Sequence, residues 1–107
     1  MLSLVEQTRV LILDVDGVGV SLTGLAQAVG LSRFHLLRLF KAAYGVTPVG
    51  FAEQTRMVAA GRRLKAAREP IGEVAAALGY ESPSAFARAF RRHNGRAPGS
   101  FRGGGSN

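Results

Sequence analysis

Cysteine is absent from this sequence of 107 residues. Its absence excludes disulfide staples, thiolate zinc sites and cysteine nucleophiles. Histidine is scarce. His35 and His93 are too few to cage a metal without carboxylate help, and each reads as an ordinary helix residue. Long apolar runs are missing too. Val10–Leu13 is short and is followed by Asp14 and Asp16, far from the roughly 20 residues of a membrane span. The N-terminus lacks the basic start and small-residue cleavage site of a signal peptide. A cytoplasmic protein is the expectation. No phosphate-binding loop and no nucleophile–base pair stands out, so no catalysis, cofactor or metal is expected.

Acidic residues are also few outside the N-terminus. Residues 1–20 hold Arg9 against Glu6, Asp14 and Asp16, whereas residues 33–102 hold 13 basic groups against Glu53, Glu69, Glu73 and Glu81. The net charge is +7, and 12 of the 14 basic residues are Arg. Arginine offers a planar fork of donors that suits phosphates and guanine edges. A basic balance points to nucleic acid, an acidic protein or an anionic surface, without choosing among them. The length fits one domain with a real core, burying roughly 60–70% of its unfolded surface.

The pattern is helical almost throughout. Ser3 and Glu6 have capping-box spacing, which predicts a first helix over about Leu4–Leu13. A strand at Val10–Val15 competes, because that segment is rich in Val, Ile and Leu. Asp16-Gly17 marks a turn. Ser21 caps a helix of about Leu22–Val29, ended by Gly30. Ser32 caps another over Arg33–Tyr44, closed by Gly45. Thr47-Pro48 opens a long helix to about Ala67, in which Gly61 costs about 1 kcal/mol relative to Ala. After Glu69-Pro70 come helices at about Ile71–Leu78 and Pro83–His93, then a last turn from Pro98 to Arg102. Residues 103–107 read as a flexible tail.

The two halves repeat. A shift of 50 positions lays Ser32 on Ser82, Arg38 on Arg88, Phe40 on Phe90 and Lys41 on Arg91. The same shift lays Gly45 on Gly95, Pro48 on Pro98 and Phe51 on Phe101. Upstream the shift is 49, laying Ala26 on Ala75, Ala28 on Ala77 and Gly30 on Gly79. Each copy is a short helix, a glycine turn and a capped longer helix, the helix-turn-helix plan.

A helical wheel turns Leu36, Leu39, Phe40 and Ala43 inward on the first longer helix, and Phe34, Arg38 and Lys41 outward with Leu37 on the flank. On the second, Phe86, Ala89 and Phe90 face inward, and Ser84, Arg88 and Arg91 outward. A single outward Arg is usually only solvated. The recurrence of Arg38 as Arg88 in one frame argues for more. Each can fork onto O6 and N7 of a guanine in a major groove. Ser84 suits a base edge or a phosphate, while Phe34 and Leu37 offer apolar contact, for example to a thymine methyl. Arg33, Lys41, Arg91, Arg92 and Arg96 suit phosphates, which position without reading sequence. The helix starts at Ser32 and Ser82 add backbone donors for phosphates.

The segments SLTGLAQAVGLSRFHLLRLFKAAYGVTP and IGEVAAALGYESPSAFARAFRRHNGRAPGSFR resemble the DNA-binding domain of the AraC/XylS family of bacterial transcription regulators. The likeness covers Ser21–Arg102. It implies an all-α fold of about seven helices, with two helix-turn-helix subdomains (about 3–47 and 70–102) joined by a linker helix (about 48–67). Twenty helical residues span about 30 Å, near the ~34 Å repeat of duplex DNA, so two reading helices are expected in successive major grooves. The resemblance maps base contacts to Phe34, Leu37 and Arg38 and to Ser84, Ala85 and Arg88. Leu37, Gly24, Pro83 and Asn94 depart from the common family pattern. The expected partner is double-stranded promoter DNA, bound by a monomer that does not enter membranes, with RNA polymerase as a candidate second partner. Two alternatives stand beside this. One is a protein-interaction module whose basic face docks an acidic partner. The other is a domain fused to a DNA-repair enzyme, against which the lack of a thiolate acceptor argues.

Overall fold

The computed structural model describes residues 1–66 and 68–103. Among these the regular elements are α-helices, in the order α1 (Leu4–Asp14), α2 (Leu22–Val29), α3 (Arg33–Tyr44), α4 (Pro48–Ala66), α5 (Ile71–Ala77), α6 (Pro83–Asn94) and α7 (Pro98–Gly103). The capping chemistry sets most starts. In α1 the Ser3 hydroxyl accepts from the Glu6 N–H at 3.1 Å, and Glu6 Oε1 accepts from the Ser3 N–H at 2.8 Å. This reciprocal pair satisfies two donors that a bare helix end leaves open. The Val10–Asp14 stretch continues that helix instead of forming a strand, and Val15 caps its end. At α2, α3, α4 and α6 the hydroxyls of Ser21, Ser32, Thr47 and Ser82 each accept from the N–H three residues on, without the reciprocal bond.

The chain divides into two compact units, residues 1–55 and 56–107, and the division falls inside α4. The sequence reading treats 48–67 as a separate linker. In the structure the first part of that helix belongs to one unit and the rest to the other. Ala67, the expected end of the linker, lies outside the described residues. The expected tail begins one residue late, because Gly103 is still helical, and residues 104–107 lie outside the described residues.

In the first unit α1, α2 and α3 each pack against the other two. Ile12, Leu25, Ala26, Val29, Leu36, Phe40 and Ala52 form the core. Thr8 is fully buried, and its hydroxyl is satisfied by donating to the Leu4 carbonyl at 2.8 Å. Phe40 meets Tyr44 edge-on at 4.7 Å between ring centroids and Phe51 at 5.8 Å, spacings that favour aromatic pairs. The turn after α1 brings Gly17 onto α4. A Cβ at Gly17 would stand 2.1 Å from the Ala52 carbonyl oxygen, and Gly17 has φ +73°. Glycine alone meets both conditions.

In the second unit the buried set includes Leu64, Val74, Ala75, Leu78, Phe86, Ala89 and Phe90. Rings run in sequence from Tyr80 to Phe86, Phe90 and Phe101, at centroid spacings of 5.4, 5.7 and 5.1 Å. Gly61 faces the Phe101 ring, which a Cβ there would meet at 3.4 Å, about van der Waals contact.

Two of the residues that the wheel turns inward lie exposed. Leu36 and Phe40 are buried as expected, but Leu39 is 38% exposed and Ala43 is exposed. Ala89, the counterpart of Leu39, is only 4% exposed. At that register neighbours cover a methyl group, but a leucine reaches past them. Ala43 and its counterpart His93 both lie in the last turn, and both are exposed.

Candidate nucleic-acid interface

Because α3 and α6 share length, cap and closing glycine, their side chains leave each unit in matching register. Both helices run 12 residues from a Ser N-cap to a left-handed Gly, with φ of 75° at Gly45 and at Gly95. Phe40 and Phe90, both fully buried, anchor the inner faces. The opposite faces therefore present equivalent positions. On α3 these are Phe34, Arg38 and Lys41, all exposed, with Leu37 half-buried beside them. On α6 they are Ser84, Arg88 and Arg91, all exposed, with Ala85 half-buried. The expected base-reading residues thus gather on one helix face in each unit.

Arg38, Lys41, Arg88 and Arg91 make no ion pair or side-chain hydrogen bond among the described residues. Their forks and ammonium are available to an outside anion. Arg33 and Arg92 are exposed on the same helices. Arg96 differs. Its Nη2 donates to the Ser100 carbonyl at 3.0 Å, tying the loop before α7 to that helix. It also lines, with Arg91, Gly95, Ala97 and Ser100, a shallow concavity of about 310 Å³. The sequence reading has the two cations but not this shared hollow, which depends on α7 folding back beside the end of α6.

The helix starts are unequal. At α3 the Ser32 hydroxyl accepts from the His35 N–H, leaving the first-turn N–H groups of Arg33 and Phe34 without intrahelical acceptors. At α6 the Ser82 hydroxyl accepts from the Ala85 N–H. Pro83 has no N–H to offer, so Ser84 supplies the open donor within the first turn. The serine hydroxyls act as acceptors in the caps, which leaves their O–H donors, together with the open backbone N–H groups, for a phosphate.

Several other cations have partners inside the second unit, which composition alone does not reveal. Arg56 lies over the Tyr80 ring, 5.6 Å from its centroid. Arg63 pairs with Glu69 at 2.9 Å. Lys65 sits 4.7 Å from the Phe101 ring centroid. Arg102 Nε donates to the Leu64 carbonyl at 2.7 Å.

Comparison with known proteins agrees with this geometry. A family model described as a helix-turn-helix domain matches residues 25–104. The chain is 41% identical over 91 residues to the regulatory protein ada of Salmonella typhimurium, covering 82% of this chain and 25% of that protein. It is 33% identical over 78 residues to the regulatory protein SoxS of Escherichia coli, covering 73% of each. The chain thus spans about a quarter of the longer relatives and most of SoxS. Among solved structures, the DNA-binding domain of the global transcriptional factor AdpA, in complex with a target DNA, aligns with a TM-score of 0.85 at 26% identity, over 94% of this chain and 90% of that one. This chain belongs to the AraC/XylS family of transcription regulators, as a double helix-turn-helix domain of the DNA-binding type.

Proposed function

We propose that the chain recognises promoter DNA by inserting α3 and α6 into two successive major grooves. The observation that carries this is the matched pair Arg38 and Arg88, each exposed in mid-helix, at the same register on a duplicated scaffold, and each without a partner among the described residues. Each guanidinium takes the O6 and N7 of a guanine. Phe34 and Leu37 in one unit, and Ser84 and Ala85 in the other, touch neighbouring base edges. Arg33, Lys41, Arg91, Arg92 and Arg96, with the backbone at the Ser32 and Ser82 helix starts, hold phosphates and fix the register. The chain binds as a non-catalytic monomer, since one chain already carries two readers. It works in the bacterial cytoplasm, with RNA polymerase as its candidate protein partner at the promoter.

Titrating salt against binding to a selected duplex tests this reading. Five cationic phosphate contacts predict a log–log slope of about −4 to −5, and nuclease protection should span about two turns of duplex. A flat salt response would favour a basic face that docks an acidic protein instead.

A further inference from the structure

The two reading faces share their arginine but not the residue one turn before it. Under the 50-residue shift Phe34 falls on Ser84, and Leu37 falls on Ala87. The inner anchors, caps and closing glycines match, so these are equivalent positions on equivalent helices. Phe34 is 72% exposed, more than any other large apolar side chain except Met1. An aromatic ring held out in water, beside an arginine with no partner among the described residues, is an apolar surface awaiting an apolar partner.

The major groove offers little apolar chemistry. Among the ordinary bases only thymine carries an apolar group there, the C5-methyl. Phe34 and Arg38 are four residues apart on one helix face, with Cβ atoms roughly 5–6 Å apart. Successive base pairs rise about 3.4 Å. When Arg38 forks onto a guanine, the Phe34 ring therefore falls on a neighbouring base pair. We infer that the first unit reads a C5-methylpyrimidine beside guanine, whereas the second unit, with a hydroxyl at Ser84 in place of the ring and only the single methyl of Ala85 or Ala87 beside it, gains much less from that methyl. The inference rests on the DNA-reading assignment above and adds a chemical distinction between the half-sites. It has a regulatory corollary. 5-Methylcytosine carries its methyl at the same place as thymine, so cytosine C5-methylation next to the guanine strengthens binding chiefly at the first half-site.

The test uses the full chain and the duplex it selects from randomised DNA. Each dT is replaced in turn by dU, which removes the methyl and leaves the pairing edge intact. The half-site whose preference relaxes in Arg38→Ala belongs to the first unit. There, removal of the contacted methyl should weaken binding about fourfold, the affinity equivalent of one buried CH₂ group. In the other half-site the loss on replacing dT by dU should be clearly smaller, since no ring stands at Ser84. At the sensitive position, a 5-methyl-dC·dG pair should bind about fourfold tighter than unmodified dC·dG. The double variant Phe34→Ser/Leu37→Ala, which gives the first reader the residues of the second at these two positions, should bind the dT duplex more weakly and lose both methyl effects at the first half-site. Equal methyl effects in the two half-sites, no effect in either, or effects that survive the double variant would each overturn the inference. The dU scan of the unaltered chain decides without the variant. Failure of the unaltered chain to bind any duplex would instead overturn the DNA-reading assignment itself.

Discussion

Gly17 and Gly19 lie two residues apart with nearly the same backbone, φ +73° and +71°. They differ in space. A Cβ at Gly17 would stand 2.1 Å from the Ala52 carbonyl oxygen and 3.0 Å from its carbon, whereas nothing lies within 4 Å of one at Gly19. Alanine at either position meets the left-handed penalty, about 1–2 kcal/mol. At Gly17 it must also displace the backbone of α4, which overpacking data put at about 1–3 kcal/mol more. Gly19→Ala should therefore cost about 1–2 kcal/mol and Gly17→Ala about 2–5 kcal/mol. Urea titration followed by far-UV circular dichroism reads both. In thermal melts each kcal/mol corresponds to about 4–8 °C for a domain near this size. Equal losses in the two variants would refute the claim that Gly17 is held by its contact with Ala52.

Arg38→Ala and Arg88→Ala should each relax base preference within one half-site, by about 1–3 kcal/mol of discrimination, as read by selection or competition binding. Lys41→Ala should instead weaken all sequences alike and reduce the salt slope by about 1. Identical behaviour of Arg38→Ala and Lys41→Ala would undo the division into readers and anchors. Ser82→Ala removes the α6 cap and should cost about 1 kcal/mol of stability, visible as a lowered Tm. Arg102→Ala loses its bond to the Leu64 carbonyl and should destabilise by about 1–2 kcal/mol while leaving the preferred operator unchanged in competition binding.

Local chemistry carried much of the fold into the sequence. Ser3 with Glu6, and Ser21, Ser32, Thr47 and Ser82, announce helix starts because a short polar side chain satisfies an N–H three residues on. The 50-residue repeat announces the two proposed reading helices, because equal registers put Arg38 and Arg88 on equal, exposed faces. What stayed hidden depends on neighbours distant in the chain. A wheel gives a direction but not how far the covering side chains reach, so Leu39 reads as core although it is 38% exposed. The partners of Arg56 and Arg102 stand 24 and 38 residues away, and no local pattern links them. Asp16-Gly17 reads as a turn, but the need for glycine there comes from Ala52, on a helix that starts 31 residues later.

The cations tied to their own protein have a consequence for how the chain finds its target. Arg56, Lys65 and Arg102 still contribute their positive field at a distance, so they help draw the polyanion in. Arg56 and Lys65 already lie against a ring and Arg102 against a carbonyl, so fewer of their donors are open to a phosphate than on Arg38 or Arg88. On the proposed reading, attraction and adhesion are thereby partly separated, and the chain should cling to random sequence less than its formal charge implies.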